Sequence, residues 1–191
     1  NELYIIYIKK NNLVKAEGYI KKILEIDKNH YSSLRDLGYI KYLTGDLEEA
    51  KKKFDKISNR IKNDVFALNI YGLINYKNKE LDAAINKFVS AIKVKPDYID
   101  SYNNLGKIYF DLEDLNTAFI NFKKAYKLNR GFYKTLINIG NILSLKDRNG
   151  YSILAYKKAL RLTSNKGEVF GNISIAYSRL KNFDKTIKYY N

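Results

Sequence analysis

The chain contains no cysteine and, among its 191 residues, a single histidine. Without cysteine it has neither a disulfide framework nor a thiolate metal site. The lone histidine, His30, lies in a predicted loop and is interpreted as an exposed turn residue. A histidine-dependent nucleophile and a multi-histidine metal site are therefore excluded. We expect no enzyme activity and no cofactor.

Helix breakers are also scarce, because the chain has ten glycines and one proline, Pro96. This scarcity predicts mostly helix with short turns. The apolar stretches are too short, and too often interrupted by Lys and Asn, to span a bilayer. No signal peptide is visible, but Asn1 is not a start methionine, so we expect a segment ahead of it to be missing. The compartment is unassigned, with the cytoplasm as the default expectation.

Positive charge is in excess, with 35 Lys and Arg against 20 Asp and Glu, a formal net charge of +15. Such a charge attracts polyanions and anionic membrane surfaces. The abundance of Lys, Asn, Ile and Tyr favours a plainer origin, the codon usage of an AT-rich genome.

Four series of residues recur at a step of 34 without an insertion. The first joins a bulky residue to glycine: Leu37-Gly38, Tyr71-Gly72, Leu105-Gly106 and Ile139-Gly140. The others are Ala16, Ala50, Ala84, Ala118, Ser152 and Thr186; Ile20, Phe54, Phe88, Phe122, Tyr156 and Tyr190; and Ile23, Ile57, Ala91, Ala125 and Ala159. A shared period in four series indicates stacked repeats, since one such unit cannot bury its own apolar face.

Within a unit the spacing predicts two helices. Apolar residues recur every three or four positions from Ile99 to Leu112 and again from Leu115 to Leu128. The mid-helix glycines cost about 1 kcal/mol each relative to alanine. That cost is accepted only where a neighbouring helix must come close, so we expect each glycine to face one.

This layout resembles the tetratricopeptide repeat, whose signature places Leu-Gly, Tyr, Ala, Phe, Ala and Pro across a 34-residue unit. Residues 65–98 match it with Leu68, Tyr71-Gly72, Ala84, Phe88, Ala91 and Pro96. The resemblance implies an all-α fold, a right-handed α-α superhelix (solenoid) of helix-turn-helix repeats, over residues 1–191. Its units would be residues 31–64, 65–98, 99–132 and 133–166, with partial units at 1–30 and 167–191.

The sequence departs from the family pattern at two places. Arg148-Asn149-Gly150 replaces an apolar position that the other units fill with Leu47, Leu81 or Leu115. We expect the second helix there to begin late, near Gly150 or Tyr151, with weak local packing. No capping helix follows, so an apolar face near Tyr190 would favour self-association.

The resemblance further implies that first helices line a concave groove. Ten residues of those helices are groove candidates because packing does not need them: Arg35, Tyr39, Asn69, Lys77, Asn103, Asn104, Lys107, Asn138, Asn141 and Asn172. Asn104, Asn138 and Asn172 form a ladder whose amides complement peptide groups. The alternative is that these residues are simply solvated, because Asn is abundant in this chain. The family's carboxylate clamp is matched by Asn141 and Asn172, but Ile137 stands where its first Lys belongs.

These observations predict a non-catalytic scaffold that binds a peptide or partner protein in its groove. A second hypothesis is polyanion or membrane-surface binding by a basic ridge on the second helices, although no nucleic-acid motif is present. The ridge residues are Lys21, Lys22, Lys56, Lys93, Lys123, Lys124, Lys127, Lys157, Lys158 and Arg161. A third is that the array is the substrate-recognition arm of a larger enzyme.

Overall fold

The structure of the chain, a computed structural model, describes residues 12–190. These residues form eleven α-helices and contain no strand, which confirms the all-α prediction. In chain order the helices are α1 (Leu13–Ile26), α2 (Tyr31–Leu43), α3 (Leu47–Ile57), α4 (Val65–Lys77), α5 (Leu81–Val94), α6 (Ile99–Asp111), α7 (Leu115–Leu128), α8 (Tyr133–Leu145), α9 (Asn149–Leu160), α10 (Gly167–Arg179) and α11 (Phe183–Tyr190).

The helix starts follow the predicted period. The first helices of the pairs, α2, α4, α6, α8 and α10, each begin 34 residues after the last. The second helices, α3, α5, α7, α9 and α11, do the same. The chain is therefore a solenoid-type arrangement of helical repeats. The predicted remnant of a first helix in residues 1–11 lies outside the described residues.

The chain forms two compact units, residues 1–98 and residues 99–191. In the first unit α1 packs on α2, α2 on α3 and α4 on α5, and α3 contacts α4. In the second unit the pairs are α6 with α7, α8 with α9 and α10 with α11, joined where α7 meets α8 and α9 meets α10. Each unit is a stack of helix pairs. A single continuous array over residues 1–191 stays a prediction.

In four of these pairs, a glycine of the first helix packs against an aromatic ring of the second helix. The contacts join Gly38 to Phe54, Gly72 to Phe88, Gly106 to Phe122 and Gly140 to Tyr156. A β-carbon built on Gly106 would lie 2.7 Å from Cδ1 of Phe122, closer than side-chain carbons approach. The ring itself is buried, with 1% of Phe122 exposed. The expectation that each glycine faces a neighbouring helix is confirmed.

The turn inside each pair repeats one backbone shape, with a positive φ at its second-last residue. The values are 85° at Gly45, 63° at Lys79, 60° at Glu113, 55° at Asp147 and 56° at Lys181. Four of the five are not glycine, and the left-handed conformation costs such residues about 1–2 kcal/mol. Backbone bonds hold the turn, for example Glu113 N to Phe110 O at 3.0 Å. The turn therefore fixes where the second helix begins.

The prediction of a late start for α9 is wrong. The helix begins at Asn149, in register with the other second helices. Asn149 is 6% exposed, and its Oδ1 accepts a hydrogen bond from Ser144 Oγ at 3.2 Å. This bond satisfies the amide at a position that the other pairs fill with leucine. The turn geometry at Asp147 starts the helix without an apolar residue there.

The interpretation of His30 as an exposed turn residue is also wrong. His30 is half-buried and is the N-cap of α2, where its ring Nδ1 lies 2.9 Å from Ser33 Oγ. The same nitrogen accepts from the Ser33 N–H at 3.4 Å. A side chain that accepts from an unpaired N–H of the first turn stabilises the helix end.

Replacing Gly106 with alanine should destabilise the second unit by about 1–3 kcal/mol, because the new methyl group overlaps the Phe122 ring. The matched control is Gly171→Ala in α10, where nothing lies within 4 Å of the added carbon. There we expect stabilisation by about 0.5–1 kcal/mol, since alanine loses less backbone entropy in a helix. Urea denaturation followed by helical circular dichroism measures both. Equal effects of the two substitutions would contradict the packing role of Gly106.

Candidate functional site

In the first unit, Arg35 is held by the chain's own carboxylates. Its Nε donates to Asp36 Oδ1 at 2.8 Å and its Nη1 to Asp64 Oδ2 at 3.0 Å. The guanidinium also lies 5.7 Å from the centroid of the Phe66 ring. These contacts use the charge of Arg35 to join α2 to the start of α4.

Asp64 is the centre of this network. It caps α4 by accepting from Ala67 N at 2.9 Å, and it accepts a further bond from Tyr31 Oη at 2.9 Å. Burial raises the pKa of the Asp64 carboxyl, but the bonds from Ala67, Arg35 and Tyr31 outweigh it, so the pKa lies below its ordinary value. The carboxylate is therefore the form that the folded unit prefers.

The other three candidates of the first unit differ in exposure. Tyr39 is half-buried and packs edge-on against Phe66, with ring centroids 5.1 Å apart. Asn69 is buried, with 5% of its surface exposed. Lys77 is exposed in the last turn of α4. The cavity lined by Lys15, Gly18, Tyr19 and Lys22 in the first unit includes none of these residues.

The second unit gathers its candidates in two clefts. The first, here called the amide cleft, has a volume of about 360 Å³. Its lining residues come from α6, the loop before α8, α8 itself and α10: Asp100, Asn103, Asn104, Lys107, Phe132, Lys134, Ile137, Asn138 and Glu168. Four predicted residues, Asn103, Asn104, Lys107 and Asn138, therefore lie around one cavity.

Asn103 has an unusual environment in the amide cleft. It is 6% exposed, and its Oδ1 accepts a hydrogen bond from the buried hydroxyl of Thr135 at 2.8 Å. Its Nδ2 is buried without a hydrogen-bond partner. Buried polar atoms are nearly always paired, so this donor is an exception.

The amide cleft is lined by four charged residues that form no ion pair with any residue from 12 to 190. Within residues 12–190, Asp100, Lys107, Lys134 and Glu168 take part in none of the ion pairs, which all lie in the first unit. All four are exposed, and they carry two positive and two negative charges. They contrast with Arg35, whose charge is paired twice.

A second cavity, here called the apolar cleft, has a volume of about 300 Å³. It is lined by Phe110, Asn141, Ser144, Leu145, Tyr156, Asn172, Ile175 and Arg179. Leu145 and Ile175 are about half exposed, at 53% and 54%. Two predicted residues, Asn141 and Asn172, lie here. We call the surface that carries both clefts, formed by α6, α8 and α10, the first-helix face of the second unit.

Hydrogen bonds fix the polar residues of the apolar cleft. Arg179 Nη1 donates to the carbonyl oxygen of Ser144 at 2.8 Å and to its Oγ at 3.0 Å. Tyr156 Oη donates to Asn141 Oδ1 at 2.8 Å. Burial raises the pKa of Tyr156 to about 12, so its hydroxyl remains a donor at neutral pH.

Sequence reasoning left out several of these residues, although a signal for them was present. Asp100, Lys134 and Glu168 are equivalent positions at the step of 34, as are Lys107, Asn141 and Ile175. Such positions cannot be identified from the requirements of helix packing alone. Extending each candidate by one repeat in both directions would have identified Ile137 from Asn103 and Ile175 from Asn141. It would not have identified Asp100, Lys134 and Glu168, because no member of that series was a candidate.

Two family models match the chain. A TPR repeat model matches residues 72–113, and a tetratricopeptide repeat model matches residues 99–132. The chain contains tetratricopeptide repeats (TPRs). Comparison with curated proteins gave no match.

Solved structures share the TPR fold of this chain. The Pseudomonas aeruginosa pilF structure is 18% identical with a TM-score of 0.86, covering 98% of this chain and 86% of that one. MamA is 24% identical with a TM-score of 0.75, covering 88% and 98% of the two chains. YrrB, described as a TPR protein with an unusual peptide-binding site, is 17% identical with a TM-score of 0.71, covering 89% and 88%.

The predicted basic ridge lies on α1 and on second helices of this TPR protein, with Arg161 directly after the end of α9. Its residues are exposed except Lys157, which is half-buried with its Nζ 3.2 Å from Tyr177 Oη. TPR proteins are typically non-catalytic scaffolds for protein–protein interaction, so membership of the family does not favour the ridge hypothesis. In the part of the chain that the structure describes, no helix has the length and apolar character needed to cross a membrane.

The network around Asp64 gives the TPR protein a pH-dependent stability. Because the folded-state pKa is depressed, this contribution is present above the unfolded value of about 3.9 and is lost as the pH falls through the folded value. Asp64→Asn should lower the free energy of unfolding by about 1–3 kcal/mol at neutral pH. We expect the difference from wild type to shrink below about pH 4.

The control for this experiment is Asp97→Asn, which changes an exposed carboxylate of the same unit. Urea midpoints measured for both variants at neutral and acidic pH test the prediction. A wild-type-like stability of Asp64→Asn at neutral pH would show that the network contributes nothing.

Proposed function

We propose that this TPR protein binds an extended segment of a partner protein along the first-helix face of its second unit. One observation carries the proposal. Six of the ten residues that the sequence suggested for a groove line the two clefts of this face: Asn103, Asn104, Lys107, Asn138, Asn141 and Asn172. TPR arrays present extended binding surfaces, and a cleft of about 300–1,000 Å³ is the usual size of a ligand site.

The amide ladder supplies the chemistry for gripping a peptide. Asn104 and Asn138 line the amide cleft, and Asn172, the next position at the step of 34, lines the apolar cleft. All three are half-buried. An asparagine side chain carries two donors and an acceptor, which match the acceptor and the donor of a peptide group. The ladder therefore suits a main chain rather than one particular side chain.

The apolar cleft supplies a place for a side chain of the partner. Leu145 and Ile175 expose about half of their surface beside the half-buried Phe110. Covering such surface contributes about 25 cal/mol for each Å² removed from water. An apolar residue of the bound segment would anchor it there, while the amides hold its backbone. The peptide-binding site of YrrB, a protein of the same fold, supports this class of function by analogy.

The test uses dodecapeptides selected from a random phage-displayed library on the immobilised chain. The affinities of the synthesised peptides are measured by fluorescence polarisation. Asn104→Ala combined with Asn138→Ala should weaken binding roughly tenfold to a hundredfold, since two hydrogen bonds of about 0.5–1.5 kcal/mol each are lost. Helical circular dichroism should remain unchanged.

The control variant is Asn86→Ala, which removes an exposed asparagine from the second helix α5. It should bind the peptides with wild-type affinity. Unchanged affinity in the Asn104/Asn138 double variant, or a library that yields no binder, would overturn the proposed function.

A further inference from the structure

The unpaired donor of Asn103 is a feature that the fold itself does not explain. Leaving a buried donor without a partner costs about 1–3 kcal/mol. Asn103 Oδ1 already accepts a hydrogen bond from the fully buried Thr135, and this bond fixes the orientation of the Asn103 amide. Leucine and valine at these two positions would avoid the cost. The pair instead keeps an unpaired N–H donor in a residue that lines the amide cleft.

Two other helix pairs carry a different residue at the position equivalent to 103. The equivalent residue in the first helix pair is Arg35, which spends its donors on Asp36 and Asp64. In the next pair of the second unit it is Ile137, which is 3% exposed and has no polar side-chain atom. The Nδ2 donor of Asn103 is not paired with a carboxylate as the donors of Arg35 are, and the side chain is not apolar as that of Ile137 is. Its Nδ2 lacks a partner within the chain, and the residue lines a cavity large enough for a peptide segment.

The charges around the donor limit what the acceptor can be. Asp100, Lys107, Lys134 and Glu168 line the same cleft and sum to zero charge. A polyanion would meet Asp100 and Glu168 as well as the lysines, and like charges at close range oppose binding. A neutral acceptor, such as a main-chain carbonyl oxygen, meets no such opposition. An acidic and a basic side chain of the bound segment, next to that carbonyl, would each meet a residue of opposite charge that forms no ion pair among the described residues.

We propose that the amide cleft binds a short peptide stretch with one acidic and one basic side chain, whose main-chain carbonyl oxygen accepts a hydrogen bond from Asn103 Nδ2. The inference rests on the proposed function and adds the chemistry of the bound segment. The acidic side chain pairs with Lys107 or Lys134, and the basic one with Asp100 or Glu168. Phe132 and Ile137 supply the apolar part of the cleft wall.

The central experiment removes the donor without leaving a new unpaired group. In the double variant Asn103→Leu/Thr135→Val, both partners of the internal hydrogen bond become apolar, a change that is nearly neutral for stability. Peptides from the random library should bind this variant about tenfold more weakly than wild type. The control is Asn86→Ala in the second helix α5, which leaves Asn103 and Thr135 intact and should bind with wild-type affinity. Thermal denaturation checks that each variant is folded.

A backbone scan of the peptide identifies the acceptor. Replacing one amide at a time with an ester weakens the preceding carbonyl as an acceptor. One position should show a loss of affinity for wild type that disappears in Asn103→Leu/Thr135→Val, because the two changes remove the same bond. Asn103→Ala serves in the same scan if the double variant does not fold.

The peptide sequences test the charge requirement. The selected peptides should share an acidic and a basic residue, and Lys107→Glu combined with Lys134→Glu should weaken them. Changing the peptide's acidic residue to lysine should restore binding to that variant. Binders without this charge pair would overturn the charge part of the inference.

The outcomes separate this inference from the proposed function. Peptides that lose affinity for Asn104→Ala/Asn138→Ala but not for Asn103→Leu/Thr135→Val would overturn the inference and leave the function standing, with water as the partner of Asn103. Peptides that are insensitive to both double variants bind elsewhere, which would overturn both.

Discussion

Four of the helix pairs in residues 12–190 depend on a ring packed directly against a helical backbone. Glycine allows this approach because it has no β-carbon, and the aromatic ring fills the space that a side chain would occupy. The contact sets the distance between the two helices of a pair. In the second unit it is made by Gly106 with Phe122 and by Gly140 with Tyr156. The mid-helix glycines lower intrinsic helix stability, and the buried rings offset that cost through tertiary packing.

Because the contact and the turn recur at a fixed step, equivalent residues of successive first helices lie on the same face. Residues outside the packing series can then vary without disturbing the stack. The two units use this freedom differently. In the first, Arg35 and Asp64 form a network that joins α2 to α4. In the second, the first helices carry amides and charged residues without an ion pair around a cleft. The same architecture thus supports an internal ion network in one unit and a candidate binding surface in the other.

The repeat made the helix pairs predictable, because they follow from periodicity, whereas the choice of the first-helix face came from the resemblance to the tetratricopeptide repeat. Asn104 and Asn138 differ by one full repeat and line the same cleft. It did not reveal that Arg35 is neutralised, because its partner Asp64 comes from the following turn and depends on side-chain geometry. The start of α9 was mispredicted because a hydrogen bond from Ser144 replaces the expected apolar contact of Asn149. A hydrogen bond that replaces an apolar contact in one helix pair does not recur at the step of 34, so the sequence pattern does not reveal it.

The glycine–ring contact can be observed directly by NMR. An aromatic ring shifts the resonances of protons held against its face, so the α-protons of Gly72, Gly106 and Gly140 should be displaced upfield. Those of Gly18 and Gly171, which have nothing within 4 Å of the equivalent position, should lie near ordinary helical values. This difference is the result that the packing account predicts. Glycine resonances that do not separate into these two groups would show that the rings do not close the helix pairs.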